Sequence, residues 1–111
     1  MASDPSPLLR LRGEIDRTSV TNLARVATGL GDSGSATFSL DLTDVTFMDA
    51  AGIALIFDLA ERCSDGDCLG IICPRQTPVR RLLELAGLTR HETLRVFDSE
   101  EEARKATQFG E

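Results

Sequence analysis

The chain has no tryptophan and no tyrosine, a single lysine (Lys105) and a single histidine (His91). Its only aromatic residues are five phenylalanines, which leaves it few rings to stack on nucleic-acid bases. Twelve basic residues against eighteen acidic ones give a net charge of −6, which argues against nucleic acid or an anionic membrane as the main partner. No apolar run approaches the roughly 20 residues that span a bilayer, so no membrane insertion is expected. The opening MASDPSPLLR lacks the basic stretch and long apolar core of a secretion signal, and a cytoplasmic location is expected. With one histidine, no nucleophile–base pair and no glycine-rich phosphate loop, catalysis is poorly supported and no cofactor is expected. Three cysteines, Cys63, Cys68 and Cys73, are an odd number, which in a reducing compartment suggests free thiols. Their spacing fits no common zinc pattern and His91 lies far along the chain, so no metal is expected. Burial as small apolar residues is expected, with a redox role for Cys63 and Cys68 as the alternative.

At 111 residues the chain is long enough for one domain with a single core. Residues 1–7 are polar, carry Pro5 and Pro7, and read as a short disordered arm before a domain spanning 8–111. Leu8 to Arg12 alternates leucine and arginine as a strand near a sheet edge would, and Gly13-Glu14-Ile15-Asp16 then turns the chain. Asp16 or Thr18 can cap a helix whose apolar line is Val20, Leu23, Ala24, Ala27 and Leu30, closed by the glycines and serines from Gly29 to Ser35.

The organising stretch is FSLDLTDVTFMDAAGIALIFDLAERC, residues 38–63. Phe38, Leu40 and Leu42 alternate with polar neighbours, which predicts a half-buried strand. Ile53, Ile56, Phe57, Ala60 and Cys63 recur at helical spacing and predict a buried stripe. Between them Met48-Asp49-Ala50-Ala51-Gly52 has little side chain to pack, so it is expected to sit open at a helix N-terminus.

Further on, Ser64 to Asp67 reads as a turn and Leu69 to Cys73 as a strand covered on both faces. Thr77-Pro78 starts a helix with Val79, Leu82, Leu83 and Ala86 on one side, and Gly87 stops it. Leu94 to Phe97 is a short strand, and Ser99-Glu100-Glu101-Glu102 fits a capping box opening a last helix. The sum is an α/β fold, β-α-β-α-β-α-β-α, with a mostly parallel sheet. Right-handed crossovers would put the GEID and MDAAG loops on one sheet edge.

GEID, LDLTDVTFMDAAGIALI and TPVRRLLELAGL, in this order and at these separations, resemble the STAS domain, and bacterial anti-sigma-factor antagonists in particular. The likeness covers residues 8–107. It implies a small sheet with helices that docks onto an anti-sigma factor, usually also a serine kinase, and so frees a sigma factor. In the family, phosphorylation of a serine at the start of the central helix breaks that complex. The family's loop reads Asp-Ser-Ser-Gly or Asp-Thr-Ser-Gly. Here Asp49 matches the aspartate, Gly52 the glycine, Ala51 falls on the phosphoacceptor and Ala50 replaces its neighbour. A methyl group has no hydroxyl to attack a γ-phosphoryl, so the usual off-switch cannot operate at Ala51. The family's additional N-terminal strand has only about seven polar residues to form from before Leu8, so it is expected to be missing or altered, leaving a free edge.

The resemblance implies that Asp16, Asp49, Ala50, Ala51 and Gly52 form the partner-binding surface, and the apolar outer face of the central helix adds Leu55. Each also has a plain structural reading. Asp16 and Asp49 are helix caps in their own right, and Gly52 permits close helix–sheet packing. Leu55 and Leu59 lie off the predicted stripe, either buried under neighbouring helices or forming an apolar docking patch. Arg80 and Arg81 opposite Glu84 read as a solvated helix face. Thr46 and Thr18 are the hydroxyls nearest the loop and the alternative phosphoacceptors. A structural STAS subunit of a signalling assembly or membrane transport complex, or a homodimer through the free edge, is the alternative arrangement. An aspartyl-phosphate receiver would need an acidic pair and a lysine at a later strand end, and Lys105 lies in the last helix.

Overall fold

The computed structural model describes residues 8–32, 38–63 and 69–110. The expected arm at 1–7, the segment Ser33–Ser35, the Ser64–Asp67 turn and Cys68 lie outside the described residues. The elements are β1 (Leu8–Ile15), α1 (Arg17–Asp32), β2 (Phe38–Met48), α2 (Ala50–Glu61), β3 (Leu69–Ile72), α3 (Pro78–Leu85), a 3₁₀ turn (Leu88–Arg90), β4 (Leu94–Phe97) and α4 (Glu100–Gly110). The described strands form one sheet in the order β1-β2-β3-β4, and every neighbouring pair is parallel. This is the alternation read from the sequence.

Right-handed crossovers that step the same way across a sheet place their helices on the same side. Accordingly α1, α2 and α3 share one core with the sheet, in which Leu40, Leu42, Ile71, Leu59, Ala60 and Leu83 are each no more than 4% exposed. Successive strand residues alternate faces, so Ile72, beside Ile71, points to the second face, where α4 packs on β3 and β4. Asp41, between Leu40 and Leu42, lies on that second face too.

Several local expectations hold at the atomic level. Thr77 Oγ1 accepts the Arg80 N–H at 3.2 Å with Pro78 in the first turn, and Gly87 (φ 81°) ends that helix in the left-handed region. Ser99 Oγ accepts the Glu102 N–H at 3.1 Å, the capping half of the expected box, while the Glu102 carboxylate reaches one residue past the cap and accepts the Asp98 N–H at 2.7 Å.

Three expectations are corrected. The chain does not turn at Gly13; β1 continues to Ile15, and Gly13 (φ 78°) sits at a register shift in its pairing with β2. The extra residue at that shift is Thr46 of β2, between the partners of Gly13 and Glu14, so the ladder is offset there without ending β1. Phe57 is not in the buried stripe: it is 49% exposed, whereas Leu55 (7%) and Leu59 (4%) are in the core. Arg80 is not on a solvated face. Its side chain is 12% exposed, Nη1 donates to the Cys73 carbonyl (2.7 Å) and to Asp98 Oδ1 (3.1 Å), and Nε faces Glu84 Oε2 at 3.4 Å.

Candidate docking site

From Leu42 onward β2 pairs with β1 alone among the described strands, because the β2–β3 ladder covers only Phe38–Asp41. The two strands therefore run on as a ribbon past the end of β3. Its register sets Ile15 opposite Met48, so the loops that follow, at Asp16 and Asp49, emerge side by side. The Asp49 N–H donates to the Ile15 carbonyl at 3.2 Å and ties one loop to the other.

Both aspartates cap the helix they precede. Asp49 Oδ1 accepts the N–H groups of Ala51 (2.9 Å) and Gly52 (3.3 Å). Asp16 Oδ1 accepts those of Thr18 (3.0 Å) and Ser19 (3.2 Å), and the Thr18 hydroxyl at 2.6 Å. The Asp16 N–H in turn donates to Ser19 Oγ at 3.0 Å. These bonds favour the charged carboxylate, so Asp16 titrates below the ordinary carboxylate value, the Thr18 hydroxyl being the largest cause. In each cap a single oxygen, Oδ1, carries these bonds to the described residues.

At the tip Ala50 is exposed, Ala51 is half-buried and Gly52 is buried. A Cβ built at Gly52 would lie 2.5 Å from Met48 Cγ, 3.0 Å from Ile15 Cγ2 and 3.3 Å from the Ile15 carbonyl. The glycine therefore lets α2 lie directly on the ends of β1 and β2. Of the sequence-derived site residues, the structure brings Asp16, Asp49, Ala50 and Ala51 to one surface, sets Gly52 beneath it and places Leu55 in the core. Leu55 and Leu59 thus form no apolar patch on the outside. The Thr46 hydroxyl, on the exposed side of the ribbon, donates to the Gly13 carbonyl at 3.3 Å.

The outer line of α2 is Ala50, Ala54, Phe57, Asp58 and Glu61, each exposed. Phe57 meets the His91 ring edge-on, with centroids 5.5 Å apart at 84°, and His91 Nε2 donates to Glu61 Oε2 at 2.7 Å. The sequence reading missed this exposed aromatic. The signal was present: Phe57 lies one turn before Glu61 and adjoins Asp58, and two carboxylates mark the outer side of a helix that is otherwise apolar all round.

Among the described residues no group of histidine, cysteine and carboxylate side chains is placed to hold a metal ion. No helix among them is long and apolar enough to cross a membrane.

The sequence pattern of the STAS domain matches residues 2–103. Among solved structures the fold is similar to an anti-sigma factor antagonist from Mycobacterium paratuberculosis, with a TM-score of 0.81 and 20% identity over 91% of this chain and 84% of that one. It is also similar to the anti-sigma factor antagonist SpoIIAA in its unphosphorylated form, with a TM-score of 0.76 and 22% identity over 97% and 92% of the two chains. For the Bacillus cell fate determinant SpoIIAA in the phosphorylated form the TM-score is 0.64, with 22% identity over 90% and 88%.

Proposed function

The chain belongs to the STAS domain family, and from that premise we propose that it is an anti-sigma-factor antagonist whose docking tip lacks the phosphoryl switch. It binds an anti-sigma factor of the ATP-binding kinase type through the surface at Asp16, Asp49, Ala50 and Ala51 and so releases a sigma factor. The observation that carries the reading is the pair of capped aspartates on adjoining strand ends, framing a tip of two alanines. Such a tip has the shape to dock and no hydroxyl at residue 51 to accept phosphate. Solved antagonists of the same fold support the general role. The chain acts by binding, without catalysis of its own.

The test is titration of the purified protein, and of Ala51→Ser, against the kinase-type anti-sigma factors of its host, with and without ATP. Wild type is expected to bind equally under both conditions and to gain no phosphate at residue 51 by mass spectrometry. Ala51→Ser is expected to bind, acquire one phosphate with ATP, and then dissociate. If neither protein binds any such factor, the reading fails.

A further inference from the structure

The main core does not include every buried apolar side chain. Ile72 (1% exposed) and Ala103 (7%) are buried on the other side of the sheet, where α4 lies. From Glu100 to Lys105, Ala103 is the one buried residue of that helix, so its described apolar attachment is small. Its ionic attachment is more extensive. The first residue of α4, Glu100, accepts from Arg10 of β1, on the far edge of the described sheet. Arg10 Nε also lies 3.5 Å from Asp41 Oδ2, its register partner on β2, and Arg104 sits 3.1 Å from the other Glu100 oxygen. The chain Asp41–Arg10–Glu100–Arg104 thus fastens the helix across the sheet.

The segment before α4 is held separately. Asp98 is gripped by Arg80 Nη1 (3.1 Å) and Arg75 Nε (3.3 Å), and its N–H by the Glu102 carboxylate. One end is therefore anchored to α3 and the β3–α3 loop, whereas the described side chains of the helix, residues 100–105, hold it by one buried alanine and exposed ion pairs. Elements held in this way open at the low end of a protein's stability range.

We propose that α4 is a separately opening cover. It pivots at Asp98–Ser99, is held down by the Arg10–Glu100 strap, and exposes the second face of the sheet at Ile72 without unfolding of the main core. Exposed ion pairs weaken as salt shortens the range of charge interactions, so opening increases with ionic strength.

Amide hydrogen exchange on the full chain tests this, comparing residues 103–105, whose N–H groups lie within the hydrogen-bonded part of α4, with β2 and β3. At low salt the α4 amides are expected to exchange at least about tenfold faster than those of β3. Glu100→Gln is expected to speed α4 a further two- to fivefold, roughly what loss of an exposed ion-pair network allows, and to leave β2 and β3 unchanged. Glu101→Gln removes a first-turn charge and an i,i+4 pair with Lys105 but keeps the strap, and is expected to have a smaller effect. About 0.5 M NaCl should reproduce the Glu100→Gln effect in wild type and add little to that variant. The proposal is overturned if α4 exchanges at the rate of β3, if Glu101→Gln matches Glu100→Gln, or if Glu100→Gln speeds β3 equally.

Discussion

Gly29 and Gly52 both lie within helices, yet the same substitution at the two is expected to change stability in opposite directions. Replacing a helix-interior glycine by alanine removes backbone freedom from the unfolded chain and favours the helix by about 0.5–1 kcal/mol. At Gly29 a new Cβ meets nothing within 4 Å, so Gly29→Ala should realise that gain. At Gly52 the same methyl lands 2.5 Å from Met48 Cγ and 3.0 Å from Ile15 Cγ2, in a place where Met48 is 3% exposed and Ile15 4%. Forced overpacking of a core costs about 1–3 kcal/mol, and the nearby Ile15 carbonyl limits how far α2 can settle. The net for Gly52→Ala is a loss of about 1 kcal/mol, once the helix gain is subtracted. Urea unfolding followed by circular dichroism reads both variants. With a slope of about 1–3 kcal/mol per molar urea, the two midpoints should part by roughly 1 M, on opposite sides of wild type. A Gly52→Ala protein as stable as wild type would refute the close approach of α2 to the ribbon. It would also remove the basis for how the tip is held.

Two further outcomes follow from the same geometry. Thr18→Val should raise the Asp16 pKa toward the ordinary carboxylate value in an NMR pH titration, because the Thr18 hydroxyl is the main cause of its depression. Since the folded value lies below the unfolded one, ionised Asp16 stabilises the fold above the unfolded carboxylate pKa. That contribution is lost as pH falls through the folded value, and Thr18→Val should reduce it. Arg80→Ala should lower the unfolding free energy by about 2–3 kcal/mol, because it strands the buried Cys73 carbonyl and releases Asp98 and Glu84. Arg80→Lys should recover only part of this in the same urea experiment, since one ammonium cannot make both hydrogen bonds, to the Cys73 carbonyl and Asp98, and also lie beside Glu84.

The layer order was legible because covered parallel strands and one-sided helices leave different periods in the sequence. The caps at Asp16, Asp49, Thr77 and Ser99 were legible because capping is local, decided by residues two or three apart. What escaped the sequence depends on residues far apart or on phase. The phase of α2 was ambiguous, since Ile53–Phe57–Ala60 and Gly52–Leu55–Leu59 are both apolar lines, and only Asp58 and Glu61 decide between them. Arg80 reads as a surface residue until the fold brings Asp98, 18 positions on, against it. Gly13 looks like a turn because a left-handed glycine ends many strands, and only the partner strand shows that pairing resumes at Glu14.

On the proposed reading the tip separates shape from switching. The hydrogen bonds that shape it join backbone N–H groups, a strand carbonyl, the two capping carboxylates and the hydroxyls of Thr18 and Ser19, and none uses the side chain of residue 51. The close seat of α2 depends on Gly52, one position further on. A serine in place of Ala51 would therefore inherit the same cap and the same half-buried position, with its hydroxyl added beside an unaltered surface. On the proposed reading, the step from hydroxyl to methyl deletes the phosphoryl acceptor and leaves the docking surface intact. The complex then has no off-signal at residue 51, and its lifetime is set by affinity, by the abundance of the two proteins and by whatever state the partner is in.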